Sequence, residues 1–373
     1  MSTSSAPGRL GDPTTSLATD PRLHPKLLVT LQNYGLDQNQ PATELTPESP
    51  FDAIRELLAK DDEEGRAFYN LVVFPEEEET TTSAIKITAI DKLIPRPDST
   101  ELRLTIRRQQ GTDATDPKYV KVPAIVHIHG GGMVVGSTDN PPNNKWAEAL
   151  VRTGMVVITV HFRNAYDKDG DNPFPAGLND CATAARWVHE HRAELGISKV
   201  LLQGESGGGN LSLATALKAN KEGWIQAIDG VAAYIPFIGG PAYGMPTEWK
   251  RRELPSLVEN DGYFINVATC ALYTKMYDPD DKHHRNPLAF PYWAQEEDLR
   301  GLPPHLIVTS ELDPFRDEGN AYYRKLVRAG VTAVGKTTLG VIHGTELAWG
   351  AISGAPEFRE NSIWEIKKFA EST

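Results

Sequence analysis

The stretch Leu202-Gln203-Gly204-Glu205-Ser206-Gly207-Gly208-Gly209-Asn210 decides how this chain is read. Apolar and neutral residues lead into a G-x-S-x-G pattern and a helix-like pattern follows, which places Ser206 on a sharp strand-to-helix turn. At such a turn only small neighbours such as Gly204, Gly207 and Gly208 let the backbone pass closely and hold the serine Oγ exposed. The new helix aims free N–H groups and its positive dipole end at the same spot, where an oxyanion would form. Two rival readings of the glycines fail. No Gly-Lys-Ser/Thr follows, as a phosphate-cradling loop requires, and the dinucleotide spacing G-x-G-x-x-G with a later ribose-binding acid is absent.

Upstream, Ala124-Ile125-Val126-His127-Ile128-His129-Gly130-Gly131-Gly132-Met133 reads as an apolar strand ending in three consecutive glycines. Each glycine surrenders much backbone entropy on ordering, so such a run implies close approach of a ligand or another chain segment. The functional reading is an oxyanion hole, the N–H groups of Gly131 and Gly132 joining that of Gly207 around a substrate carbonyl oxygen. The plain alternative is a flexible loop. His127 and His129, alternate residues on one strand face, could also suggest metal ligation, but no Asp-His pair follows and cysteine ligands are missing.

Downstream, Pro304 to Ser310 reads as a buried strand running into Glu311-Leu312-Asp313-Pro314-Phe315-Arg316-Asp317-Glu318-Gly319. An acid just past a strand end is where an α/β sheet presents reactive groups, which selects Asp313. Asp-Pro also commonly opens a helix, so Asp317 or Glu318 is expected to serve the turn or the helix that follows. His343, in Val341-Ile342-His343-Gly344, follows the last strand-like run, Val331 to Leu339. Order selects it from the other histidines: Ser, then Asp, then His, each at a strand end, is the α/β-hydrolase arrangement.

With these residues assembled, the chain resembles the hormone-sensitive-lipase family of α/β-hydrolase carboxylesterases. His129-Gly130-Gly131-Gly132 is similar to the family's oxyanion motif, and Asp313 to Gly319 differs by one apolar swap from its usual D-P-L-R-D-E-G. Arg163-Asn164-Ala165, followed after a short insertion by Pro173-Phe174-Pro175-Ala176-Gly177-Leu178-Asn179-Asp180, resembles its R-x-A-P-E-x-P-F-P-A-x-x-x-D stretch. There are departures. The elbow carries Glu205 and Gly207 where the family usually has Asp and Ala. Met133 stands where an aromatic is common, which predicts a softer acyl-side wall, and the insertion Tyr166 to Asn172 reads as a solvated loop. The resemblance implies a serine esterase with Ser206 as nucleophile, His343 as base and Asp313 orienting it. It needs no metal and no organic cofactor, and it acts on short-chain or small-molecule esters. A lactonase or amidase would use the same triad, and a non-catalytic small-molecule receptor on this fold is expected to lack one of its members.

The expected architecture is an α/β-hydrolase fold, a mostly parallel eight-stranded sheet flanked by helices, with a helical cap. Strand candidates fall at about 85–94, 101–108, 122–129, 155–162, 199–205, 229–237, 304–310 and 331–339, alternating from the third onward with helical segments. The expected organisation is a disordered tail over 1–21, an N-terminal helical part of the cap over 22–80, a catalytic domain over 81–238 and 286–373, and a cap insertion over 239–285. Glu76-Glu77-Glu78-Glu79 reads as a solvated linker, and the insertion is rich in aromatics, of which about a third are expected to line the pocket.

Bulk properties narrow the partners. A net charge of −12 disfavours nucleic acid and anionic membranes. Two cysteines cannot make a disulfide framework, no run approaches about 18 apolar residues, and no signal-peptide core is visible. The expectation is a cytoplasmic protein with a small-molecule ester substrate. Oligomeric state is open, a homodimer being one option.

Overall fold

The computed structural model describes residues 15–71, 85–112, 114, 119–349, 352 and 355–373. One sheet contains β1 (Ile87–Pro95), β2 (Glu101–Gln109), β3 (Val122–Ile128), β4 (Val156–Val160), β5 (Ile197–Glu205), β6 (Gly230–Tyr234), β7 (His305–Ser310) and β8 (Ala333–Thr338). Its order is β1-β2-β4-β3-β5-β6-β7-β8. β2 pairs antiparallel with β1 and β4, and all later neighbours pair parallel. Every residue of β4, β6 and β7 is buried, the expected state of near-continuous apolar runs covered by helices on both faces.

Helices α1 (Pro25–Asn33) and α2 (Phe51–Leu71) precede the sheet; α3 (Pro141–Arg152), α4 (Ala176–Glu190) and α5 (Gly207–Glu222) flank it. The insertion after β6 contains α6 (Thr247–Glu253), α7 (Ser256–Glu259) and α8 (Val267–Tyr277). α9 (Glu296–Leu299), α10 (Arg316–Arg328) and α11 (Glu357–Ser372) complete the chain. α5 is buried from Gly207 through Leu217 and ends at Gly223, whose φ of +77° supplies the left-handed cap. It is the central helix, and its N-terminus sits where β5 ends.

The strand order positions the site. The chain leaves β3 for β4 on one side and returns to β5 on the other, so the loops after β3 and β5 diverge at a topological switch point. In open α/β sheets a ligand crevice forms at such a point. Ile128 pairs with Gly204, which sets the glycine loop beside Ser206.

Two expectations need correction. The disordered tail was expected to extend to residue 21, yet Leu17–Thr19 form a helical turn and Leu17 is fully buried with Leu23, Leu27 and Leu31 against Tyr263, Leu312, Val341 and Ile342. Apolar burial repays the ordering of residues 17–21; residues 1–14 lie outside the described part, as do Glu76 to Glu79. The Tyr166–Asn172 insertion is not merely a solvated loop. Arg55 of α2 pairs with Asp171 at 3.0 Å, donates to the Asp167 carbonyl at 2.8 Å and lies over the Tyr166 ring. Asp317 and Glu318 lie in the first turn of α10, as expected of acids that serve a helix, and both also reach beyond it. Asp317 accepts the Ser256 N–H at 2.7 Å; Glu318 accepts from the Ile238 and Gly239 amides and the Tyr243 hydroxyl. Both carboxylates therefore tie α10 to the segment after β6.

Candidate active site

Ser206 has φ of 54° and ψ of −119°, backbone angles that hold a side chain out at a strained turn. Its N–H donates to the Tyr234 carbonyl at 2.9 Å, and its own carbonyl accepts from Asn210 and Phe237. The flanking glycines answer to contact. A Cβ on Gly208 would stand 1.9 Å from the Ile128 carbonyl oxygen, and one on Gly204 would stand 2.4 Å from the Gly208 carbonyl. Any side chain at either position would push the elbow off the end of β3.

The glycine loop closes against this elbow. A Cβ on Gly207 would lie 2.6 Å from the Gly132 amide nitrogen and 2.4 Å from that of Met133, so the start of α5 and the loop share one small volume. Among the hydrogen bonds of the described residues, none is donated by the Gly131, Gly132 or Gly207 amides. The Gly130 amide is engaged, donating to the Glu205 carboxylate at 2.8 Å. Glu205, whose charge the elbow retains, thus anchors the loop from the residue preceding Ser206. Met133 does not form the acyl-side wall expected of it: with φ of +62° its side chain turns into the core, 1% exposed.

Asp313 and His343 meet after β7 and β8. The imidazole Nδ1 lies 2.8 Å from Asp313 Oδ2, and the carboxylate's other oxygen accepts the Phe315 N–H at 2.9 Å. An ionised carboxylate only accepts, so the proton sits on Nδ1 and leaves Nε2 as the acceptor. The Phe315 ring packs edge-on to His343, and Asn260 from the insertion donates to the Asp313 carbonyl at 3.0 Å. Asn260 gave no signal in the sequence, because nothing local distinguishes an asparagine that bonds to the main chain of a distant loop.

Ser206, His343, Gly131 and Gly132 line one cavity of about 470 Å³. Among the described residues no hydrogen bond joins Ser206 Oγ to His343 Nε2; such contacts often tighten only once substrate is bound. Of the insertion's aromatics Tyr243, Trp249, Tyr263, Phe264, Tyr273 and Tyr277, only Phe264 and Tyr273 reach this cavity. The N-terminal segment contributes Asp61, Asp62, Arg66 and Tyr69, among others, and burial, with the Glu205 charge nearby, pushes the Tyr69 hydroxyl up to about 12.

The competing histidines are placed otherwise. Burial pushes His129 down to about 3; its ring stacks on Phe162 and its Nδ1 meets the Gly130 carbonyl at 2.6 Å. His305, at the start of β7, is lowered to about 4 by burial and meets the Pro303 carbonyl. His127 faces Glu205 at 3.6 Å. Among the described residues no three or more His, Cys, Asp or Glu side chains are grouped to hold a metal ion.

Comparison with known proteins bears on the fold and the family. Residues 125–347 match a family described as having the alpha/beta hydrolase fold, a span from β3 to just beyond His343. This chain belongs to the α/β-hydrolase family. Within the family it falls on the hormone-sensitive-lipase side. The solved structure of brefeldin A esterase, described as a bacterial homologue of human hormone sensitive lipase, superposes with a TM-score of 0.91 at 38% identity, covering 98% of each chain. The structure of esterase Est22 with p-nitrophenol superposes at 0.80 with 32% identity, covering 96% of this chain and 100% of the other. Esterase LipI of Mycobacterium tuberculosis is 30% identical over 256 residues, 68% of this α/β-hydrolase and 75% of LipI.

Proposed function

We propose that this α/β-hydrolase is a serine carboxylesterase in which Ser206, His343 and Asp313 form the triad. The Asp313–His343 hydrogen bond, opening onto the cavity that Ser206 also lines, carries the reading. Ser206 Oγ attacks the ester carbonyl carbon while His343 Nε2 takes its proton; the tetrahedral oxyanion collapses, and the imidazolium returns that proton to the departing alkoxide. Water, deprotonated by the same nitrogen, then hydrolyses the acyl-serine and releases the acid. Asp313 holds the tautomer and stabilises the imidazolium. The Gly131, Gly132 and Gly207 amides receive the oxyanion, each worth about 2.7 to 4 kcal/mol if it behaves as such donors do elsewhere.

Short-chain or small-molecule esters are the proposed substrates, and a cavity of about 470 Å³ has room for them. Residues 22–71 with 239–285 act as the cap over it. Two free, buried cysteines, Cys181 and Cys270, fit a reducing cytoplasm, and a homodimer would use the exposed edge at β8, where Val334 is 52% exposed. No helix among the described residues is long and apolar enough to cross a membrane. The test is stoichiometric inactivation by a fluorophosphonate with the mass increment located on Ser206. Labelling elsewhere, or none, overturns the assignment. Matched ester, amide and lactone substrates then separate the esterase from an amidase or lactonase.

A further inference from the structure

The Val135–Gly136 peptide is gripped from both ends. Its carbonyl oxygen abuts Gly131, where a Cβ would lie 2.0 Å from it, and the Gly131 carbonyl accepts the amides of Val134 and Val135 at 3.0 and 2.9 Å. Its N–H donates to Asp62 Oδ1 at 2.9 Å. Asp62 belongs to α2, a helix remote in sequence from the glycine loop. Arg66, one turn further along α2, donates to the other Asp62 oxygen at 2.8 Å and to the Gly136 carbonyl at 3.1 Å, and Asn164 donates to that same carbonyl at 2.9 Å. Gly136 itself has φ of +99°, a region glycine enters freely, so its own backbone preference does not hold the peptide in one orientation.

From this geometry we infer that Asp62 is a positioning residue for the oxyanion loop. Rotation of the Val135–Gly136 peptide would move its oxygen against or away from Gly131, and the Asp62 bond fixes that rotation. A carboxylate accepting a backbone N–H makes a charge-assisted hydrogen bond, whereas the Asp62–Arg66 pair, with Arg66 47% exposed, contributes little by itself. The N-terminal helix therefore does more than roof the pocket. It sets the direction of the amides that meet the developing charge, and it acts on every substrate regardless of size. The inference rests on the serine-esterase reading.

The experiment compares wild type, Asp62→Ala, Asp62→Ser and Asp62→Asn on p-nitrophenyl acetate, with thermal unfolding measured on each. Asp62→Ala and Asp62→Ser should lose roughly 10- to 100-fold in kcat with KM nearly unchanged, the scale of a small misplacement of reacting groups. Asp62→Asn, which keeps the acceptor, should restore most of that loss. A boronic acid that mimics the tetrahedral state should weaken in step with kcat. Should either the alanine or the serine variant fold and keep kcat within twofold, the inference fails. So does a loss confined to KM or to thermal stability. Failure of the underlying reading looks different: wild type itself would then show no Ser206-dependent turnover.

Discussion

Ser310 Oγ donates to Glu346 Oε1 at 3.2 Å, and the bond joins the end of β7, just before Asp313, to the helical turn just after His343. Ser310 lies three positions before the acid (313 − 310) and Glu346 three after the histidine (346 − 343), both buried. Burial pushes the Glu346 carboxyl up to about 7, with His343 pulling it back and Asp313 adding to the rise. Above that pH its negative charge favours the imidazolium that forms during acyl transfer. Glu346→Gln should therefore lower kcat/KM severalfold more at about pH 8.5 than at about pH 6. Parallel pH–rate profiles for the two proteins would remove Glu346 from any electrostatic role.

Ser206→Ala and His343→Ala should each lower kcat by about a million-fold, because nucleophile and base act as one unit and their losses do not add. Asp313→Asn should be milder, about 10⁴, since it keeps the shape but favours the wrong tautomer. Burst and steady-state kinetics on p-nitrophenyl acetate measure all three. Retention of a tenth of wild-type turnover by either alanine variant would contradict the proposed roles.

Glu318 should make stability depend on pH. Burial raises its carboxyl from 4.5 to about 8 despite the hydrogen bonds it accepts from Ile238, Gly239 and Tyr243. The folded state then keeps a proton that the unfolded chain has lost, so stability falls as pH rises from about 4.5 to 8, with a slope of at most about 1.4 kcal/mol per unit. Glu318→Gln should flatten that dependence. Urea unfolding of both proteins at several pH values across the window decides it; equal slopes would mean that Glu318 ionises freely in the fold.

Leu17→Ala should cost about 2 to 5 kcal/mol, the range for a fully buried leucine. Just beyond it, the Arg22 guanidinium pairs with Asp20 at 2.8 Å and also with Glu259, which in turn binds Arg316 at 2.8 Å. Removal of residues 1–22 should accordingly destabilise the protein well beyond removal of residues 1–14, read as the midpoint of thermal unfolding. Identical midpoints for the two truncations would show that the Leu17 contacts carry no weight.

The sheet was legible because its signals are local. Eight alternating or continuous apolar runs, bounded by turn residues, gave strands whose ends differ from the observed ones by a few positions. The site was legible where it rests on short motifs: Gly204 to Gly208 describe a turn that only small residues fit, and sequence order brought Asp313 and His343 to neighbouring strand ends. The rest lies in contacts between distant segments. Asp62 to Gly136, Asn260 to Asp313 and Glu318 to Ile238 link residues whose neighbourhoods carry no periodicity that points to one another. Met133 illustrates the converse, a position whose neighbours in sequence suggested a pocket wall and whose positive φ turned it inward.

Helix α1 is seated beside the segments that carry Asp313 and His343. Its leucines rest on Leu312 and on Val341 and Ile342, the residues immediately before Asp313 and His343, while Tyr263 of the insertion completes the same cluster. An engineer who exchanges the N-terminal segment for that of a relative, seeking a new acyl preference, would also replace the surface on which both loops are seated. Grafts should succeed only when Leu312, Val341 and Ile342 are transplanted with the segment that covers them.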